Sequence, residues 1–209
     1  MGKASKCTDC SLPDNADDRK CIDSSIRAPA VLLTTTFSTM FDFSSAASPG
    51  WSTGGGNPPY AFNKSEGGTS GFTGPSAGVN GLGYYYYART GGGREEGDLF
   101  MLAYDGSICS AKNQTVGTVD FHYHMYGAGM GELRVTSNAG ETLWSLNGNQ
   151  GNAWNAVSVA VDSPSFAFEY TRGNSWKGHA AVALVTVTCA VLQPLGDATG
   201  NARQFMIVP

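Results

Sequence analysis

From Asp120 to Val135 apolar and polar residues take turns. Phe121, Tyr123 and Met125 fall on one face, and Asp120, His122, His124 and Tyr126 fall on the other. A side-chain period of two suits a strand with one buried face, whereas helical geometry would scatter these apolar residues. Gly127, Gly129 and Gly131 interrupt the pattern before Leu133 and Val135 resume it. The segment predicts a β-hairpin with a flexible loop of roughly five residues. The same reading marks strands in Leu32–Phe43, Tyr84–Arg89, Leu99–Tyr104, Glu141–Leu146, Ala156–Val161, Ser165–Tyr170 and Ala180–Cys189, separated by Gly, Asn or Pro clusters. About nine strands at this spacing, with no convincing amphipathic helix and no internal repeat, predict an all-β fold: a two-sheet antiparallel β-sandwich.

The remaining stretches set the boundaries. Residues 1–33 carry three of the five cysteines and no periodic pattern, so they read as an irregular arm. Residues 34–189 form the sandwich, and 190–209 are a tail with one short apolar piece, Phe205–Val208. From Pro49 to Gly83 the chain is dominated by Gly and Pro, which predicts a long loop. Trp51 within it reads as a cap over one end of the core. Of the four tyrosines Tyr84–Tyr87, two are expected to pack inward and two to cover the outer face.

Composition narrows the function. Charged residues make up 14% of 209 and the formal net charge is -4, so the concentrated positive face needed for nucleic acid is absent. No apolar run is long enough to span a membrane. Met1–Lys6 is not followed by the apolar stretch of a signal peptide, and Lys6 stands where a myristoylation site wants Ser or Thr. Cys7, Cys10, Cys21, Cys109 and Cys189 form an odd set. In an oxidising compartment that permits two bridges with one thiol left over, or one bridge to another chain. Cys7, Cys10 and Cys21 lack a fourth ligand at zinc-finger spacing, so they read as a disulfide-bearing extension.

No catalytic motif of standard spacing occurs. His122 and His124 share a strand face and make a weak two-ligand metal platform, with Asp120 or His179 as the third ligand it would need. Two imidazoles on a partly exposed sheet are the simpler reading. Glu95, Glu96, Asp98, Glu132 and Glu141 form no special pair. Asn63 and Asn113 head Asn-x-Ser/Thr glycosylation sequons, at about the frequency chance would give. Tyr84, Tyr86, Trp144, Trp154 and Trp176 are candidate binding aromatics. The residues therefore predict no enzyme and no cofactor.

The wording of several segments is more specific. Phe121-His-Tyr-His-Met-Tyr-Gly127 with Met130-Gly-Glu-Leu-Arg-Val135 resembles the signature of the MAM domain family, an extracellular adhesion and assembly module. Phe41-Asp-Phe-Ser44, Gly50-Trp51, Thr73–Tyr85 and Gly148–Trp154 match other family segments in order, so the resemblance covers about residues 37–189. It implies a jelly roll and a non-catalytic function. The chain would be a protein–protein interaction subunit of a larger extracellular, lumenal or surface assembly, with the extensions as anchoring arms. A lectin-like carbohydrate-binding module is the alternative, so the expected partners are other protein subunits or glycans.

The resemblance also implies departures. Many members pair the cysteine that ends the domain with one near position 117, but Gly117 stands there. Cys109 is a candidate replacement partner for Cys189 if residues 110–116 fold back, and the N-terminal arm is the rival. Some members bind calcium or sodium through acids. Ser44, Asn80, Arg89, Ala183 and Leu184 stand at those positions here, which predicts no tight calcium site.

Overall fold

The computed structural model describes residues 36–191 apart from 46–47, 55–57 and 70. Cys7, Cys10, Cys21, the 1–33 arm, the tail beyond 191 and the start of the strand expected at Leu32 lie outside these residues. Eleven strands are described, in two layers.

One layer contains β1 (Phe37–Phe41), β4 (Tyr85–Ala88), β6 (Thr115–Met125), β9 (Asn155–Ser163) and β11 (Ala180–Ala190). Here β11 lies between β6 on one side and β4 and β1 on the other, and β9 closes the edge beyond β6. The second layer contains β2 (Trp51–Thr53), β5 (Leu99–Tyr104), β7 (Glu132–Ser137), β8 (Thr142–Asn147) and β10 (Phe166–Thr171), with β10 between β5 and β7 and with β8 outermost. Strand β3 (Tyr60–Ser65) joins the layers. Tyr60 and Ala61 run parallel to Phe100 and Met101 of β5, while Phe62–Ser65 run antiparallel to β4. The all-β sandwich of jelly-roll type read from the sequence is the one observed.

The inner faces interlock through rings. Phe121 of the first layer meets Phe168 of the second at 4.7 Å, edge to face. Trp51 lies within 6.1 Å of Phe41, Phe43, Tyr104, Phe166 and Phe168, so it caps the core as expected. Each fully buried ring of this kind contributes about 2–3 kcal/mol from removed apolar surface, and edge-to-face contacts add to it.

Two expectations are corrected. The hairpin predicted at 120–135 does not form, because β6 pairs only with β11 and β9, and β7 pairs only with β10 and β8. Residues 126–131 are therefore an arch that carries the chain from one layer to the other. Alternation does not distinguish the two cases, since strands of both layers bury one face toward the same core. The long loop expected at 49–83 also contains β2, only three residues long, and β3, whose six residues Tyr-Ala-Phe-Asn-Lys-Ser do not alternate.

Cys109 sits on α1, a single helical turn over Ser107–Ser110. Lys112 and Gln114 N–H groups donate back to the Cys109 carbonyl, which turns residues 110–114 into the start of β6. Val116 then pairs with Cys189, and Cys109 and Cys189 form a disulfide with Cα atoms 5.3 Å apart. Of the two partners open for Cys189, the structure selects Cys109. At Gly117 an added Cβ would stand 2.7 Å from Ala190 Cβ, so this backbone leaves no room for a cysteine there.

Candidate binding surface

The outer face of the first layer is not bare. Tyr85, Ala181 and Ala183 are fully buried there beneath Val79, Tyr87 and Trp154. The Gly-rich segment 67–81 folds over this face as a cover. Tyr85 donates its hydroxyl to the Gly67 carbonyl, and Trp154 Nε1–H donates to Ala77 O at 3.0 Å. Ala181 and Ala183 have to be small to admit the rings above them. Ala183 stands where the resemblance implied an acid, and it is filled by this packing. Leu184, the neighbouring replaced acid, occupies a bulge of β11 with φ 46°. Ser44 donates both its N–H and its hydroxyl to Asp42 Oδ1, which holds that exposed carboxyl below its ordinary pKa.

His124 lies on this covered face and is 2% exposed. Its ring contacts Trp154 at 5.3 Å and Tyr126 at 6.4 Å, and Nε2–H donates to Asn152 Oδ1 at 3.1 Å. Burial pushes its pKa below the ordinary histidine value, against the opposing Asn152 bond. The imidazole is consumed by packing, so the two-ligand platform imagined with His122 is not presented. His179, the possible third ligand, rests against Tyr87 instead. Burial, with the Arg89 guanidinium as a second cause, lowers the His179 pKa to about 4. Among the described residues no three His, Cys, Asp or Glu side chains converge as a metal site.

The loops meet at one end of the sandwich, where the arch and the 172–179 segment bind each other closely. Gly129 N–H donates to Lys177 O at 2.9 Å, and Gly131 N–H donates to the Tyr170 hydroxyl at 2.8 Å. An added Cβ at Gly129 would lie 2.3 Å from Ser175 Cβ, and one at Gly131 would lie 1.9 Å from Thr171 O. These glycines permit backbone to touch backbone; they do not loosen a reversal, as the sequence suggested. Thr73 ties in a third segment by donating its hydroxyl to Tyr126 O and accepting the His179 N–H. Thr90 Oγ1 donates to Trp176 O, and Arg172 Nε–H donates to Thr90 O.

This braced end displays side chains outward. Phe72 is 65% exposed and Trp176 is 47% exposed, with Lys177 Nζ 5.1 Å and 5.4 Å from their ring centroids. Next to Trp176 a groove of about 250 Å³ opens, lined by Ala61, Asn63, Arg89, Gly91, Gly92, Arg94 and Phe100.

The other candidate aromatics are committed to packing. Tyr86 meets Phe43 edge-on at 4.8 Å, and Tyr84 packs against the core beneath Lys64. Trp144 contacts Phe121 and Tyr123, and Trp154 contacts Tyr85 and His124. They form no common platform, and only Trp176 among them is largely open. Asn63 is half-buried in β3, whereas Asn113 is exposed in a left-handed turn. Sequence reasoning missed Arg94, Gly91 and Gly92, because nothing local signals that a loop will stand beside Trp176, some 85 residues later.

Comparison with known proteins gives a consistent match. The family model described as MAM domain, meprin/A5/mu, matches residues 41–190. The human MAM domain-containing glycosylphosphatidylinositol anchor protein 1 is 37% identical over 127 residues, and its chicken counterpart is 34% identical over 126; each alignment takes in 55% of this chain and 13% of the relative. The human anchor protein 2 is 34% identical over 131 residues, covering 55% of this chain and 14% of the relative. The chain thus spans about an eighth of the length of these curated relatives. Among solved structures, a cleaved adhesin domain of Lys-gingipain from Porphyromonas gingivalis is 12% identical, with a TM-score of 0.47 over 72% of this chain and 97% of that one. A family 29 carbohydrate binding module is 10% identical, with a TM-score of 0.43 over 74% and 92%. Such scores are too low to argue from.

Proposed function

The chain belongs to the MAM domain family, and from that premise we propose that it is a non-catalytic protein-contact module of an extracellular, lumenal or surface assembly. The observation that carries the reading is the Phe72–Lys177–Trp176 cluster, an exposed aromatic and cationic patch on backbone braced from three segments. Aromatic residues on rigid supports are the usual anchors of protein contacts, because they bury area at small entropic cost. The Cys109–Cys189 disulfide supports an oxidising compartment. A carbohydrate-binding role is the second reading, favoured by the exposure of Trp176 beside a polar groove.

The test is native size-exclusion chromatography of the full chain, tagged and expressed in its source cells. Elution in a high-mass assembly is expected, with a shift to the monomer position for the Phe72→Ser, Trp176→Ala double variant. A wild-type chain that elutes as a monomer at every concentration refutes the reading.

A further inference from the structure

The groove beside Trp176 has a charge character opposite to that of the molecule. The chain carries a formal net charge of -4, yet the groove is lined by two guanidiniums, Arg89 and Arg94, and by no carboxylate. The ion pairs among the described residues both belong to Arg134, with Glu132 and Glu169, so no described carboxylate neutralises either groove arginine. Arg94 is held flat, its guanidinium carbon 3.7 Å from the Tyr60 ring centroid, and its Nε–H is shielded from solvent without an acceptor. A shielded Nε–H without an acceptor is costly, and an anion bound against it recovers that cost. Arg89 faces the same opening from the end of β4, close enough to His179 to depress its pKa.

We propose that this groove binds an acidic sugar, with Arg89 and Arg94 holding its carboxylate or sulfate and Trp176 offering a face to the neighbouring ring. Several features favour a sugar over an acidic peptide. The groove is small, and its remaining lining is an amide, Asn63, the backbone of Gly91 and Gly92, and the apolar Ala61 and Phe100, the latter only 1% exposed. Its exposed lining is mainly polar, and hydroxyl groups are matched by amide and backbone groups of this kind. Trp176, whose Cβ would stand 4.0 Å from a Cβ at Gly91, is half-exposed beside the groove and offers an aromatic face to the apolar side of a pyranose. The planar guanidinium forks suit the two oxygens of a carboxylate or sulfate. The proposal goes beyond the protein-contact reading and does not depend on it.

The test uses the full chain secreted to a bacterial periplasm, so that Asn63 carries no glycan and the disulfide forms. Isothermal titration would compare tetragalacturonate for carboxylate, a heparin tetrasaccharide for sulfate, neutral cellotetraose, and tetraglutamate. One or both acidic sugars are expected to bind, with cellotetraose and tetraglutamate at least about tenfold weaker. The Arg89→Gln, Arg94→Gln variant should lose about tenfold or more in affinity, Trp176→Ala about three- to tenfold, and Lys112→Gln, elsewhere on the surface, nothing. Arg89→Gln alone removes no ion pair among the described residues. It keeps the test decisive should loss of the Arg94–Tyr60 stack destabilise the double variant. No saturable binding of either acidic sugar, unchanged affinity in Arg89→Gln, or tetraglutamate binding as tightly as the sugars would each overturn the proposal.

Discussion

His179 shows how burial turns one residue into a pH dependence. Its pKa is about 4 in the folded chain, with burial as the main cause and Arg89 the second, and near 6.5 when unfolded. Above pH 6.5 the ring is neutral in both states and contributes no difference. As pH falls from 6.5 toward 4 the unfolded chain takes up the proton first, so stability is lost across that window. After allowance for solvent screening at the edge of the site, the loss is on the order of 2 kcal/mol. Urea unfolding at pH 7 and pH 4.5 should show it, and His179→Gln should flatten that part of the slope. Gly131 makes the complementary point about space. Gly131→Ala places a methyl against Thr171 O and should cost about 2–3 kcal/mol, read as a lowered melting temperature.

At the level of elements, the arch over residues 126–131 and the α1–β6 turn do the work that a hairpin would do in a simpler sheet. The arch is anchored by the buried Tyr170 hydroxyl, which accepts the Gly131 N–H and whose pKa burial raises to about 12. Tyr170→Phe removes that acceptor and leaves a donor unpaired, so a loss of about 1–2 kcal/mol in chemical denaturation is expected. The α1–β6 turn brings Cys109 to Cys189 across a separation of 80 residues. By the chain-entropy argument a bridge of that span restricts the unfolded state by about 4–5 kcal/mol. The Cys109→Ala, Cys189→Ala variant should show a loss of that order in the denaturation midpoint and no change in strand content by circular dichroism.

Among the described residues taken together, one face is covered by the chain itself and one end displays its side chains. The 67–81 cover shields Tyr85, Ala181 and Ala183, so the middle of the first layer is occupied by the chain's own packing. The displayed end carries Phe72, Trp176, Lys177 and the two groove arginines. The positions at which the resemblance implied acids hold Ser44, Asn80, Arg89, Ala183 and Leu184. A calcium titration to the millimolar range is therefore expected to leave the melting temperature unchanged, and a rise at micromolar calcium would contradict that expectation.

The amino-acid order alone determined the strand-by-strand alternation, the all-β class, the family resemblance and the alternating roles of Tyr84–Tyr87, because a period of two and local wording are properties of neighbours in sequence. It left β2, β3 and the arch unseen. The three residues of β2 carry too little period, the six of β3 do not alternate, and an inward-facing pattern is the same whichever layer a strand joins. The partner of Cys189, the burial of His124 under Trp154, the second small core beneath the Gly-rich cover, and the meeting of Arg89, Arg94 and Trp176 depend on contacts between segments distant in sequence. Only the closing of two layers on a shared core brings those segments together, so tertiary structure alone decided them.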